Sequence, residues 1–224
     1  MFMLKAAIID DGIDASQFKN VKSWVIKKDL SIENENIISV KDNHACTCLK
    51  IIQKYCDMSD VFWHSIKILN DDTKRGNIRQ FIEALRLCEQ LEVKIIHLSI
   101  GTRSYSDFNL IEKSIEALCD KGTIIIAAAC NEGTVAYPAC MNGVIGVKCD
   151  FSATDQQYLY NCNTLDNISF SASARHILRD RGKLRLSLQS NSYAAPLITS
   201  KALSLLTRRP VSYTHLRAHE TGAY

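Results

Sequence analysis

Proline and glycine are scarce in this chain, which has three prolines and nine glycines among 224 residues. It also lacks internal repeats, low-complexity tracts and flexible linkers, so nothing divides it into separate units. A chain of this length with 46% hydrophobic and 23% charged residues buries a sizeable core, which argues against disorder and against a membrane-spanning protein. We therefore predict one globular domain over residues 1–206.

A strong excess of charge of either sign is absent as well. The formal net charge at pH 7 is +3, and residues 207–224 carry much of it, so we expect no nucleic-acid partner. Residues 1–5 pass directly into an apolar segment, without the basic region, long apolar run and cleavage site of a signal peptide. We accordingly expect no secretion, no membrane partner and a cytoplasmic location.

Nine cysteines form an odd set that lies mostly within apolar segments. Buried, reduced thiols in a cytoplasmic protein are the predicted state. Cys46 and Cys48 lie close to His44 and suggest a metal site or a cysteine nucleophile, but a Cys-x-Cys pair without a second pair of ligands is a weak signal for zinc. We expect no metal and no cofactor.

The apolar residues follow two different spacings along the chain. Short apolar runs suited to buried parallel strands lie at residues 6–9, 36–40, 61–69, 93–100, 123–129 and 143–147. Helical spacing follows His44 and recurs at residues 78–91 and 110–118. Strands that alternate with helices predict a doubly wound α/β fold with a mostly parallel sheet and helices on both faces.

Four polar motifs stand out against this pattern. In chain order they are AAIIDDGID with Asp10, DNHACTC with His44, IIIAAACNEG with Asn131 and SNSYAAP with Ser192. A carboxylate, an imidazole, an amide donor and a hydroxyl are together the groups needed to cleave an amide through an acyl-enzyme. Each motif alone has an ordinary explanation, as a turn, a helix-end histidine or an N-cap serine.

Two of the motifs fall where the predicted fold would hold them rigidly. Asp10 ends a strand without charged residues, so we expect its carboxylate at the carboxyl edge of the sheet. His44 follows Asp42 and Asn43, either of which is suited to cap the predicted helix. The other histidines lack such a motif, which makes His44 the candidate base.

In this order, and with the intervening segments SIKILNDD and KIIHLSIG, the motifs resemble those of the subtilisin-like serine peptidases, the subtilases. The resemblance runs from about residue 6 to about residue 206. It implies a serine endopeptidase in which Asp10 orients His44, His44 removes the proton from Ser192, and Asn131 donates to the oxyanion.

The resemblance also implies how a peptide or protein substrate binds. In the family, the substrate adds as an extended strand along the segment that matches Ser99, Ile100 and Gly101. The pocket for the residue that precedes the cut would involve Ala128, Ala129 and Cys130.

The chain departs from the usual family motifs at several positions. Asp11 stands where the family has serine or threonine, and a second carboxylate beside Asp10 raises the cost of ionising both. Usual glycines are replaced by Ala45, Cys130 and Ser190. These departures leave open an alternative, a catalytically weakened peptide-binding protein with the subtilase fold.

A more remote alternative is a receiver-type phosphoacceptor signalling domain with Asp10 and Asp11 as its acidic pair, which leaves the motifs at Asn131 and Ser192 unexplained. Residues 207–224 lose the apolar periodicity and look like translated vector sequence. We therefore expect a non-native or disordered tail without a catalytic role, and a domain truncated at its C-terminus relative to the family.

Overall fold

A computed structural model describes residues 3–35, 43–162, 164–180 and 182–207. The strands within these residues are β1 (Leu4–Asp10), β2 (Val21–Ile26), β3 (Ile32–Asn34), β4 (Val61–Lys67), β5 (Ile95–Leu98), β6 (Ile124–Ala128), β7 (Val144–Cys149), β8 (Tyr158–Tyr160), β9 (Phe170–Ala172), β10 (Ile177–Asp180) and β11 (Lys183–Leu186). The α-helices are α1 (His44–Tyr55), α2 (Ile78–Gln90), α3 (Phe108–Asp120) and α4 (Asn191–Thr207).

Most of the strands form one sheet in the order β3-β2-β4-β1-β5-β6-β7-β9-β8. Pairing is parallel from β2 through to β9, and the edge strands β3 and β8 are antiparallel to their neighbours. The strands β10 and β11 form a separate antiparallel pair. Because parallel strands end at the same edge, the residues that follow β1, β5 and β6 meet there.

The helices cover both faces of this sheet. Successive side chains of a strand point to opposite faces. In β1, Ala6 and Ile8 pack into the cluster that contains α1 and α4, whereas Ala7 and Ile9 pack into the cluster that contains α2 and α3. The predicted doubly wound α/β fold is therefore confirmed.

The buried strands lie close to their predicted positions. Five of the six predicted strands correspond to β1, β4, β5, β6 and β7, with ends that differ by one or two residues. The sixth, at residues 36–40, lies outside the described residues. The apolar pattern does not predict β2, β3 or β8–β11, because these short strands carry many exposed or polar side chains.

The nine cysteines are free thiols, as expected, but their burial is less complete than predicted. Cys46, Cys48, Cys56 and Cys88 are buried, whereas Cys162 is exposed and the other four are intermediate. Helix α4 ends at Thr207, and the predicted tail beyond it lies outside the described residues. No helix within the described residues has the length and apolar character needed to cross a bilayer.

Candidate active site

Asp10 and His44 are in direct contact at the carboxyl edge of the sheet. Asp10 is the last residue of β1 and is fully buried, and its Oδ2 lies 2.7 Å from Nδ1 of His44 on the first turn of α1. The backbone N–H of Asp11 donates to the other oxygen of Asp10 at 2.7 Å. The carboxylate is thereby held from both sides, and it fixes the orientation of the imidazole.

Side chains at the start of α1 hold His44 in place. Asn43 is the N-cap, since its side chain accepts the N–H of Cys46 at 2.9 Å and donates to the carbonyl of Gly12. One of the two predicted caps is thus confirmed, and the other, Asp42, lies outside the described residues. Ala45 lies within the helix, where the backbone has ordinary helical angles. The replacement of the usual glycine by alanine is therefore tolerated at this position.

Asp11 also caps α1, a role that its sequence position did not indicate. Its carboxylate is buried and accepts the backbone N–H groups of His44 at 3.2 Å and Ala45 at 3.0 Å. The ammonium of Lys74 lies 3.2 Å from the same carboxylate. A negative charge at a helix N-terminus is favourable, so Asp11 stabilises the turn that carries the imidazole.

The pKa values of this pair depart from their ordinary values. Burial raises the pKa of Asp10, the hydrogen bond and charge of His44 oppose that rise, and the charge of Asp11 adds to it, as predicted from the sequence. Burial lowers the pKa of His44, but Cys48 and the hydrogen bond with Asp10 outweigh it, so the pKa of His44 lies above 6.5. Burial raises the pKa of the Cys48 thiol above its ordinary value, and the charge and hydrogen bond of His44 oppose that rise.

Cys48 connects the histidine with the serine motif, which the sequence pattern did not reveal. Its Sγ lies 4.0 Å from Nδ1 of His44 and 3.7 Å from the carbonyl oxygen of Ser192. The ring of Tyr193 also lies against the imidazole, with ring centroids 5.2 Å apart. Ser192 is therefore in the immediate neighbourhood of the Asp10–His44 pair.

Ser192 lies on the first turn of α4, as the sequence predicts. The backbone N–H groups of Tyr193 and Ala194 both bond to the carbonyl of Ser190, which closes this turn. Over the described ranges, no hydrogen bond joins the hydroxyl of Ser192 to His44. Catalytic hydrogen bonds are often long in an unliganded site and shorten when substrate binds.

Asn131 lies beyond the end of β6, next to the start of α4. Its Oδ1 accepts the backbone N–H of Asn191 at 2.9 Å, which leaves its amide nitrogen directed away from that N–H. Asn191 donates in turn to the carbonyls of Ala129 at 3.2 Å and Cys130 at 2.8 Å. Asn191 thus ties the helix of Ser192 to the segment before Asn131.

Two cavities adjoin these residues. The first, of about 660 Å³, brings Asp10, His44 and Tyr193 together with Ser99, Ile100 and Gly101. A Cβ on Gly101 would lie 2.7 Å from the carbonyl oxygen of Tyr137, so this segment requires glycine there.

The second cavity, of about 510 Å³, includes Ala129, Cys130 and Asn131 in its lining. Ala128 is the last residue of β6 and is buried; among the described residues it does not line this cavity. Two of the three predicted pocket residues, Ala129 and Cys130, therefore line the cavity, and Ala128 does not.

The described residues contain one group with the atoms of a metal site. The ligand atoms of Asp10, His44 and Cys48 lie within 4.8 Å of one another, and a carboxylate, an imidazole and a thiol suit Zn²⁺. The same atoms already contact each other and the carbonyl of Ser192. A metal ion here would replace the contacts that orient the imidazole.

The sequence matches the model of the subtilase family (Peptidase_S8) over residues 4–220. The chain belongs to the subtilase family. This membership supports a peptidase function, and it removes the receiver-type alternative. A comparison with curated protein sequences gave no match.

Solved structures of proteases share the fold of this subtilase. The S41 psychrophilic protease superimposes with a TM-score of 0.68 at 19% identity, covering 97% of this chain and 79% of the other. A lanthipeptide protease superimposes with a TM-score of 0.68 at 15% identity, covering 98% of this chain and 76% of the other. A cold-adapted subtilisin-like serine proteinase superimposes with a TM-score of 0.64 at 15% identity, covering 92% of this chain and 75% of the other. At these identities the likeness establishes the fold.

Proposed function

We propose that this subtilase is a serine endopeptidase that hydrolyses peptide bonds through an acyl-enzyme. His44 removes the proton from Ser192 Oγ as that oxygen attacks the peptide carbonyl, and Asp10 holds the imidazole and stabilises its protonated form. His44 then donates the proton to the leaving amine. Water, activated by the same imidazole, hydrolyses the ester and restores Ser192.

The observation that carries this proposal is the 2.7 Å contact between Asp10 and His44, with Ser192 linked to them through Cys48. The three residues come from β1, α1 and α4, and their meeting at one edge of the sheet is what an Asp-His-Ser mechanism needs.

The oxyanion would be bound by two donors. The amide nitrogen of Asn131 points away from Asn191, and the backbone N–H of Ser192 lies on the open first turn of α4. Donors fixed in advance stabilise the developing negative charge without a further cost of reorganisation. The bond between Asn131 and Asn191 ties Asn131 to the first turn of α4, which also carries Ser192.

The substrate would lie as an extended strand against Ser99, Ile100 and Gly101, with the residue before the cut directed toward Ala129 and Cys130. The first of these segments lines the cavity of His44, and the second lines the cavity beside Asn131. A peptide or protein substrate reaching from one cavity to the other would pass Ser192.

The alternative is a peptide-binding protein with the same fold and weakened chemistry, which the replaced glycines and Asp11 motivate. It predicts that peptides bind without being cut and that Ser192 is no more reactive than an ordinary serine. The two functions therefore differ in the reactivity of one hydroxyl.

A fluorophosphonate probe, which reacts with activated serines, measures that reactivity. We expect it to label the wild-type protein at Ser192, as mapped by mass spectrometry, and to label neither Ser192→Ala nor His44→Ala. Ser204→Ala, a matched change farther along α4, should label like the wild type, because Ser204 only donates to the carbonyl of Ser200. Equal labelling of all four proteins, or of none, would exclude the triad mechanism.

A further inference from the structure

The carbonyl of Ser192 lacks its usual helical partner. In an α-helix this oxygen accepts the N–H of the residue four positions later, and that residue is Pro196, which has no N–H. Two side chains take its place: the hydroxyl of Ser99 donates at 3.2 Å and the thiol of Cys48 at 3.7 Å. The backbone that carries the proposed nucleophile thus depends on side chains from outside its own helix.

The hydroxyl of Ser99 is held in turn by His97, a residue of β5. Nε2 of His97 lies 3.0 Å from Ser99 Oγ, and Nδ1 lies 2.8 Å from Oγ1 of Thr199 on α4. His97 and Thr199 are both completely buried. The imidazole therefore links Ser99 to the helix of Ser192, two turns beyond the serine.

The direction of these bonds follows from the number of protons. Burial, together with the charge of His44, lowers the pKa of His97 to about 3, so its imidazole is neutral and carries one N–H. If Ser99 gives its proton to the carbonyl of Ser192, its oxygen must accept from Nε2–H of His97. Nδ1 then accepts the hydroxyl of Thr199.

This arrangement satisfies every group in the chain of bonds. The hydroxyl of Thr199 has a second possible acceptor, the carbonyl of Ala195 at 3.2 Å, but that carbonyl already receives the helical N–H of Thr199. The proton of Thr199 is therefore available for His97. The opposite tautomer would leave His97 and the carbonyl of Ser192 competing for the single proton of Ser99.

We propose that His97 is a positioning residue for the peptidase reaction, directing the Ser99 proton to the carbonyl of Ser192 and so fixing the backbone of the nucleophile. The proposal rests on the function proposed above for Ser192. His97 itself does not touch the substrate. Its loss should slow the attack of Ser192, because misplacing a reacting group lowers its reactivity more than it weakens binding.

Two substitutions of His97 by residues of similar shape test the roles of its two ring nitrogens separately. Asparagine places its amide near the position of Nδ1, and glutamine reaches the position of Nε2. His97→Asn should therefore lose the bond to Ser99, whereas His97→Gln should keep a donor there. We expect the maximal labelling rate with a fluorophosphonate probe to fall roughly tenfold in His97→Asn, with its half-saturating concentration unchanged, and to recover in His97→Gln.

A double-mutant cycle with Ser99→Ala tests whether His97 acts through Ser99. If it does, the double variant labels no more slowly than Ser99→Ala alone, whereas independent losses would multiply. Rates are referred to the folded fraction measured by circular dichroism. Should His97→Asn fail to fold, Thr199→Val breaks the chain of bonds at its other end and should lower the same rate severalfold.

The outcomes distinguish this inference from the proposed function. A wild-type protein that takes no label refutes the proposed function itself. A labelled wild type with an unchanged rate in folded His97→Asn and Thr199→Val, or multiplied losses in the cycle, refutes the role of His97 alone.

Discussion

Replacing Asp11 by asparagine separates the helix-capping role of this buried carboxylate from its effect on the neighbouring Asp10. Asparagine keeps one oxygen acceptor for the N–H groups of His44 and Ala45 but removes the negative charge from the N-terminus of α1. A charge at such a buried helix N-terminus contributes about 1–2 kcal/mol. The side chain of Lys74 is 56% exposed, so losing its ion pair with Asp11 adds less than about 0.5 kcal/mol.

We therefore expect Asp11→Asn to lower the free energy of unfolding by about 1–2 kcal/mol, or the Tm by roughly 2–8 °C for a domain of this size. Because the substitution also removes the repulsion between Asp11 and Asp10, we expect the loss of unfolding free energy to lie toward the lower end of this range. Differential scanning calorimetry at pH 7 measures it. Glu116→Gln, which removes an exposed charge from α3 on the other face of the sheet, serves as the control and should change the Tm little.

The same substitution should extend peptidase activity to more acidic pH. The charge of Asp11 raises the pKa of Asp10, and negative charge near the imidazole favours protonated His44, which cannot act as a base. Without that charge both pKa values fall, and the acid limb of the labelling rate moves to lower pH. An acid limb that stays in place or moves upward, or a Tm that rises, would refute this account of Asp11.

Two further substitutions test the site. Asp10→Asn removes the hydrogen bond that raises the pKa of His44, so the acid limb of the labelling rate should move to lower pH. The labelling rate itself should fall by roughly 10⁴-fold. A pH profile with unchanged rates would count against the role of Asp10. Gly101→Ala places a Cβ 2.7 Å from the carbonyl oxygen of Tyr137, so we expect a loss of about 1–3 kcal/mol in urea unfolding and weaker binding of peptide inhibitors, and wild-type stability would contradict the close approach.

The buried part of the fold could be predicted from the sequence, and its edges could not. A parallel strand covered on both faces reads as a continuous apolar run, as β1 and β6 do. β8 is exposed at all three residues, and only its pairing with β9 defines it as a strand. β2 is partly buried and carries a buried serine, Ser23, so neither a run nor an alternation marks it.

In the site, residues set by local motifs could be predicted from the sequence, and residues that depend on contacts between distant parts of the chain could not. Asp10 and His44 stand in local motifs that predict where their strand and helix end and begin. The supporting residues act across long separations: His97 contacts a residue 102 positions later, and Ser99 contacts one 93 positions later. Two local signals for them do exist, a histidine inside the apolar run KIIHLSIG and a proline four residues after Ser192.

The late position of α4 in the chain has a consequence for biosynthesis. α4 packs against β5, β6, β7 and β9, and all four strands precede it in the chain, so they have been synthesised when Ser192 emerges from the ribosome. A nascent chain that ends before this helix contains Asp10 and His44 but lacks Ser192. In the proposed mechanism, activity therefore arises only when α4 docks, after the sheet that supports it has been synthesised.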